Sequence, residues 1–99
     1  MLAVTRISTQ NTVDIYQCPE GKSAVVYIDL WFDNINVKVE IAIAVWNNDF
    51  QDYDNFTYWR GGGNFISLGP IWLNSRDKIQ GWLFTVEGDV NCFVHGIEY

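Results

Sequence analysis

The side chains with catalytic potential are few and are scattered along the chain. His95 is the only histidine, and it lies between Phe93 and Ile97 in an alternating segment, where a histidine is more often packed or hydrogen-bonded than catalytic. None of the serines has the sequence context of a nucleophile elbow. The glycine run at 61–63 lacks the Lys-Ser/Thr that completes a phosphate-binding loop. We therefore predict that the protein is not an enzyme and uses no cofactor.

A second group of candidate ligands is acidic and lies in the segment 47–55. Asp49, Asp52 and Asp54, with neighbouring asparagines, supply the hard oxygen ligands that calcium prefers. Their spacing lacks the glycine and the final glutamate of the EF-hand loop. We interpret the segment as a solvated acidic loop that holds no metal, and we keep a calcium site at these three residues as the alternative.

Charge and composition limit the kinds of molecule that the protein is expected to bind. The 99 residues include twelve acidic and six basic side chains, a net charge of −6, whereas a protein that binds the phosphate backbone needs a basic patch. No apolar run approaches the ~20 residues of a membrane-spanning helix, and the first residues lack a secretory signal pattern. We predict that the protein binds neither nucleic acid nor membrane. We expect Cys18 and Cys92 to be reduced, buried thiols.

The hydrophobic pattern repeats every two residues, as in half-buried strands. Residues 24–33 place five apolar side chains on one face, and residues 37–46 do the same. Between them, the segment 33–36 contains an Asp-Asn pair typical of a turn, so we predict that the two strands form a hairpin. The predicted core consists of Val26, Ile28, Leu30, Val39, Ile41, Ile43, Phe84 and Val94.

Further strand-like segments flank this pair. They lie at 2–8, 13–18, 56–59, 65–68, 79–87 and 90–99. Turn signals every 8–12 residues are typical of a sandwich or barrel. We predict one all-β domain over residues 1–99, a single antiparallel β-sandwich of about eight strands with a jelly-roll-like arrangement. Residues 1–17 are predicted to form edge strands or a contact arm.

Aromatic residues make up 16% of the chain and include five tryptophans, more than one small core readily uses. Tyrosine and tryptophan also mark interfaces where one end of the ring stays wet. Tyr27 and Trp31 share the second face of their strand, and we predict that Trp46 joins them on the outward face of the hairpin. The predicted protein interface contains Tyr27, Trp31, Trp46, Tyr58, Trp59 and Trp72. A carbohydrate-binding platform at Tyr53, Tyr58, Trp59 and Trp72 is the alternative, because such rings also stack on sugars.

Three segments of the chain follow a recognisable order of turns and strands. Residues 18–26 contain the pattern P-x-G-K-x-x-V-V, and a strand, an Asn-bearing turn and a second long strand follow it. Residues 69–81 match G-P-x-x-L-x-x-x-D-x-I-x-G, and residues 89–98 match D-V-N-x-x-V-x-G-x-E. Over residues 18–98 the chain resembles small β-sandwich virion proteins of tailed bacteriophages. It departs from them in its short segment 1–17 and in its acidic segment 47–55.

This resemblance implies a structural role in the virion. Such proteins are similar to capsid decoration, or cement, proteins and to small neck or tail components, which bind virion partners in many copies. We therefore expect a cement protein that stabilises the shell through contacts with the major capsid protein or other virion proteins, and that forms a homo-oligomer such as a trimer. Its expected location is the virion, assembled in the host cytoplasm. The alternatives are a carbohydrate-binding module of a phage fibre or secreted protein, and a neck or tail component.

Overall fold

A computed structural model describes residues 1–99 and contains eight β-strands and no α-helix. The strands are β1 Ala3–Ile7, β2 Val13–Gln17, β3 Ala24–Phe32, β4 Lys38–Asn47, β5 Asp52–Gly62, β6 Phe65–Leu73, β7 Lys78–Leu83 and β8 Val90–Glu98. The structure has no helix long and apolar enough to cross a membrane.

The strands form two four-stranded antiparallel sheets, named here sheet 1 and sheet 2. Sheet 1 has the order β1-β8-β3-β6, and sheet 2 has the order β2-β7-β4-β5. Only the β4–β5 connection stays within one sheet, while every other connection crosses to the opposite sheet. This is the arrangement of an eight-stranded jelly roll, so the predicted all-β sandwich is confirmed.

The predicted hairpin between residues 24–33 and 37–46 is wrong. β3 pairs with β6 and β8, whereas β4 pairs with β5 and β7. Each strand has one apolar face, and crossing between sheets lets the two faces bury each other, whereas a hairpin would leave both in need of a separate cover. In the connection, the Asn34 side chain accepts a hydrogen bond from the Asn36 backbone N–H (2.9 Å), an Asx turn that redirects the chain.

The core lies between the two sheets and contains 20 buried hydrophobic residues. Buried and more exposed positions alternate along β3, as expected for a strand with one face on the core. The predicted core is confirmed except at Phe84, which is exposed. Because Phe84 follows the buried Leu83 at the end of β7, the alternation turns it toward solvent, where the Arg60 guanidinium lies 4.6 Å from its ring centroid.

The loop in the acidic segment 47–55 is shorter in the structure than the sequence predicts. β5 begins at Asp52 and runs for 11 residues, which leaves a turn at 48–51. Residues 52–55 pair in register with residues 44–47 of β4. This pairing overrides the low strand propensity of aspartate and asparagine.

β6 and β7 also differ from the predicted segments. β6 continues through Gly69 and Pro70, where its register against β3 shifts between Val26 and Ile28. Pro70 has no register partner on β3 at this irregularity, and proline is tolerated on edge strands and at bulges. β7 ends at Leu83, earlier than predicted.

Candidate interaction surface

The outer face of sheet 1 is rich in exposed apolar side chains. On β3 these side chains alternate with core positions, and the register sets Trp31 opposite Phe65 and Val25 opposite Trp72. Trp31 and Trp72 have 51% and 69% of their surface exposed. The exposed apolar residues of this face are Val4, Tyr27, Trp31, Phe65, Trp72 and Ile97. In the isolated chain this aromatic face is therefore in contact with water.

The size of the face suits the centre of a protein interface. Four strands spaced about 4.8 Å apart, over the stretch from Val25 to Trp31, cover an area on the order of 400 Å². The largest apolar patch on a typical monomer is of this size and is often functional. A standard interface takes about 800 Å² from each partner, so a partner seated here would also cover the polar rim.

Ring pairs hold the aromatic side chains of this face in place. Trp31 packs against Phe65 with ring centroids 4.3 Å apart. Tyr27 stacks on His95 with centroids 5.7 Å apart. Side chains that are ordered before binding lose less conformational entropy when a partner covers them.

A polar cluster lies at the middle of the same face. Ser67 Oγ donates a hydrogen bond to Asp29 Oδ1 (2.8 Å), and His95 Nε2 lies 3.2 Å from Asp29 Oδ2. The carboxylate therefore stands between the hydroxyl and the imidazole. A nucleophilic serine needs the histidine next to its own hydroxyl, and that contact is not made. The cluster satisfies its own polar groups and orients His95 beneath Tyr27.

The outer face of sheet 2 has a different character, because charged and polar pairs cover it. Glu40 is buried and accepts a hydrogen bond from Arg60 Nε (2.8 Å). Asp14 accepts hydrogen bonds from Gln80 (2.8 Å) and Lys78 (3.3 Å). The bond from Gln80, with the bond and charge of Lys78, lowers the pKa of Asp14 below its ordinary value, against a smaller effect of burial. The outer face of sheet 1 differs because exposed apolar side chains surround its polar cluster.

Three of the six predicted interface residues share one face. Tyr27, Trp31 and Trp72 lie together on the outer face of sheet 1. The predicted grouping of Trp46 with Tyr27 and Trp31 is wrong, because β4 belongs to sheet 2. The two β5 rings are likewise separate from this face: Tyr58 lies at the edge of sheet 2, and half-buried Trp59 packs on the core.

Trp46 makes its contacts within its own chain. Its ring meets Tyr53 edge-on at 5.1 Å, and the Arg76 guanidinium lies 5.0 Å from the ring centroid. The Tyr53 hydroxyl donates to the backbone carbonyl of Arg76 (3.0 Å) and accepts from Gln17 Nε2 (3.0 Å). These contacts tie β4 and β5 to the turn before β7.

The sequence interpretation missed several members of the sheet 1 face. Phe65 lies beside Trp31, and Val4 on β1 is opposite Phe93 on β8. Alternation alone places Phe93 on the face away from the buried Cys92 and Val94. That signal was present in the sequence, but only the strand order shows that these residues join Trp31.

The acidic residues at the start of β5 make hydrogen bonds to their neighbours in the β4–β5 pair. Asp54 accepts a hydrogen bond from the Asn47 side chain (3.1 Å), and Asp52 accepts one from the Tyr53 backbone N–H (2.8 Å). No group of three His, Cys, Asp or Glu side chains in the structure is arranged to hold a metal ion. Asp49, Asp52 and Asp54 are therefore not assembled as the calcium alternative requires.

The two cysteines are buried and free, as expected from the sequence. Burial raises the pKa of Cys92 to about 12 and also raises that of Cys18. Because the thiolate is the reactive form, neither thiol is activated as a nucleophile.

Comparison with known proteins gives no further assignment. No protein-family model matches the chain, and no curated protein matches it.

Proposed function

We propose that this chain is a structural virion protein of a tailed phage, a capsid decoration protein that binds the shell through the outer face of sheet 1. The observation that supports a binding role best is the contrast between the two outer faces. Exposed rings cover sheet 1, whereas ion pairs and hydrogen bonds cover sheet 2. Clustered aromatic side chains with a polar rim are typical of protein interfaces.

The virion setting rests on the sequence resemblance and on an analogy of fold. Jelly rolls serve as viral capsid and lectin domains. A cement protein acts mechanically. Many copies bridge neighbouring shell subunits, and repeated modest contacts add up through avidity. The proposed partners are the major capsid protein and further copies of the chain.

The substitution Trp31→Ala tests this proposal. The ring is half exposed, so its loss should change the free energy of unfolding by less than about 1 kcal/mol. Self-association in sedimentation velocity or co-pelleting with phage capsids should be lost. Phe84→Ala is the matched control, because Phe84 is equally exposed at 51% but lies outside the sheet 1 face.

Two outcomes contradict the proposal. If Trp31→Ala unfolds an isolated monomer, the ring belongs to the core. If the variant associates and pellets like the unsubstituted chain, the sheet 1 face is not the contact surface. Co-pelleting with purified tails but not with capsids would favour a neck or tail component instead.

Carbohydrate binding is the second candidate, and the polar cluster favours it specifically. The exposed ring of Tyr27 stacks on His95, which lies 3.2 Å from the carboxylate of Asp29, and Ser67 donates a hydrogen bond to the same carboxylate. Sugars are recognised by such a combination of a ring face and hydrogen-bonding groups. A glycan array probed with the monomeric protein distinguishes the two roles. Glycan binding that Tyr27→Ala abolishes, without any capsid binding, would replace the virion assignment.

A further inference from the structure

The two lateral edges of the sandwich are built differently. At one edge β1 and β2 approach each other, and Ile7 and Ile15 are buried there. At the other edge β5 and β6 stand apart. Phe56 lies opposite Ile43 and so faces the core side of sheet 2, yet 52% of its surface is exposed. The sandwich is therefore open along the β5–β6 edge.

The opening forms an apolar cleft of about 360 Å³. Its apolar lining comes from both sheets and consists of Ile43, Val45, Phe56, Tyr58, Pro70, Ile71 and Trp72. Ile43 and Ile71 are buried, while Val45 and Tyr58 are more than one-third exposed. A side chain inserted into the cleft would contact these residues and bury the exposed apolar surface of Val45 and Tyr58.

An unpaired strand edge borders this cleft. β5 pairs with β4 on one side only, and from Asp52 to Thr57 its register with β4 is regular. Such an edge presents free backbone N–H and C=O groups to a further strand. Across the cleft, β6 contains Pro70 and a register shift, and both features interrupt pairing along an edge. Of the two strands that border the cleft, β5 is therefore the one that can accept a further strand.

The charge near the cleft favours a basic occupant. Asp49, Asp52 and Asp54 take part in no salt bridge. Asp54 lies two residues before Phe56 and so shares its side of β5. A second copy docked edge to edge would bring the same carboxylates of both chains together, and like charges repel. A lysine or arginine of a partner would instead pair with them.

We propose that the β5–β6 cleft binds an extended segment of a partner protein that adds to β5 as a strand. The segment places an apolar side chain into the cleft against Phe56 and a basic side chain beside Asp54. This surface lies along an edge of the sandwich and shares only Trp72 with the sheet 1 face, so the inference goes beyond the proposed function and does not depend on it.

The test uses end-blocked synthetic peptides in which lysine and valine alternate around a central phenylalanine. The basic peptide should bind in fluorescence anisotropy, and hydrogen exchange should slow at the amides of residues 52–57. A peptide with glutamate in place of every lysine should bind at least about tenfold more weakly, because charge complementarity selects the partner. A peptide with alanine in place of phenylalanine should lose about tenfold or more as well.

Matched variants locate the site. Phe56→Ala should weaken binding of the basic peptide by about tenfold or more, whereas Phe84→Ala, of equal exposure, leaves it unchanged. Asp54→Lys should weaken binding and reduce its dependence on salt. Glu87→Lys, the same charge change beyond the other end of the sandwich, should have only the small effect of net charge. Melting temperatures confirm that every variant is folded.

Several results would overturn the inference. One is no binding of the basic peptide, and another is equal binding of the basic and acidic peptides. Unchanged binding by Phe56→Ala would place the peptide elsewhere. If Phe56→Ala converts a stable dimer into a monomer, the occupant is a second copy and the assignment to a basic partner strand is wrong.

Discussion

At the scale of single residues, the interior depends on close fitting of a few isoleucines. Gly81 on β7 lies opposite Ile41 on β4. A Cβ atom at Gly81 would lie 3.1 Å from Ile41 Cδ1 and 2.8 Å from Ile7 Cδ1, closer than packed side chains normally approach. The glycine therefore leaves the space that these side chains fill, and Ile41 itself is fully buried.

The first prediction concerns this site. Ile41→Ala removes buried methyl groups from a tightly filled region and should lower the free energy of unfolding by about 2–5 kcal/mol. Chemical denaturation measures the change. Ile35→Ala is the control, because Ile35 is 66% exposed and its loss should cost less than about 0.5 kcal/mol. A cost below about 1 kcal/mol at Ile41 would contradict its assignment to the core.

Single-residue burial was largely predictable from the sequence. Alternation assigns Ile28 and Ile41 to the interior because each side chain of a strand points away from its neighbours. Phe84 shows the limit of that interpretation. Hydrophobicity favours burial of Phe84, but its position directly after the inward-facing Leu83 turns its side chain outward. The position of this residue in the strand therefore outweighs its hydrophobicity.

At the scale of elements, the strands themselves are easier to predict than the pairing between them. The period of two residues identifies β3 and β4 and the face that each one buries. It does not identify the neighbouring strand, because alternation is a property of one segment and pairing is a property of two. The short connection after β3 therefore suits a hairpin and a crossing equally well. The sheet 1 face follows from the pairing of β3 with β6 and β8, so only part of it was predictable.

The second prediction concerns the turn between β6 and β7, which a buried carboxylate fixes to β4. Asp77 Oδ1 accepts a hydrogen bond from the Trp46 backbone N–H (2.9 Å), and Oδ2 accepts one from the Asn74 N–H (2.8 Å). Asp77→Ala leaves these donors without a partner and should cost about 1–3 kcal/mol for each one that stays dry. Faster hydrogen exchange at the Trp46 amide should accompany the loss.

The exposed Asp33 provides the control for this measurement. Its carboxylate accepts a hydrogen bond only from the neighbouring Asn34 side chain (3.3 Å), so Asp33→Ala should change stability by less than about 0.5 kcal/mol. Equal effects of the two substitutions would show that the carboxylate of Asp77 does not fix the turn.

At the scale of the whole molecule, charge acts on the two surfaces in opposite ways. The chain has a net charge of −6, so two copies repel each other wherever they meet. The sheet 1 face itself is mainly apolar, and its one carboxylate, Asp29, is paired with Ser67 and His95. Association through this face is therefore driven by apolar burial and opposed by net charge. Binding of a basic strand beside Asp54 is instead favoured by charge.

The last prediction follows from this difference. Raising sodium chloride from about 10 mM to about 150 mM shortens the screening length from about 30 Å to about 8 Å. Self-association should then tighten, because screening removes on the order of 1–2 kcal/mol of repulsion, about a tenfold change in the dissociation constant. Binding of the basic peptide should weaken over the same range. Sedimentation equilibrium and fluorescence anisotropy, measured on the same samples, give the salt dependence of the two dissociation constants. Self-association that weakens with salt would show that ion pairs hold the copies together, and the apolar face of sheet 1 would then not be their contact surface.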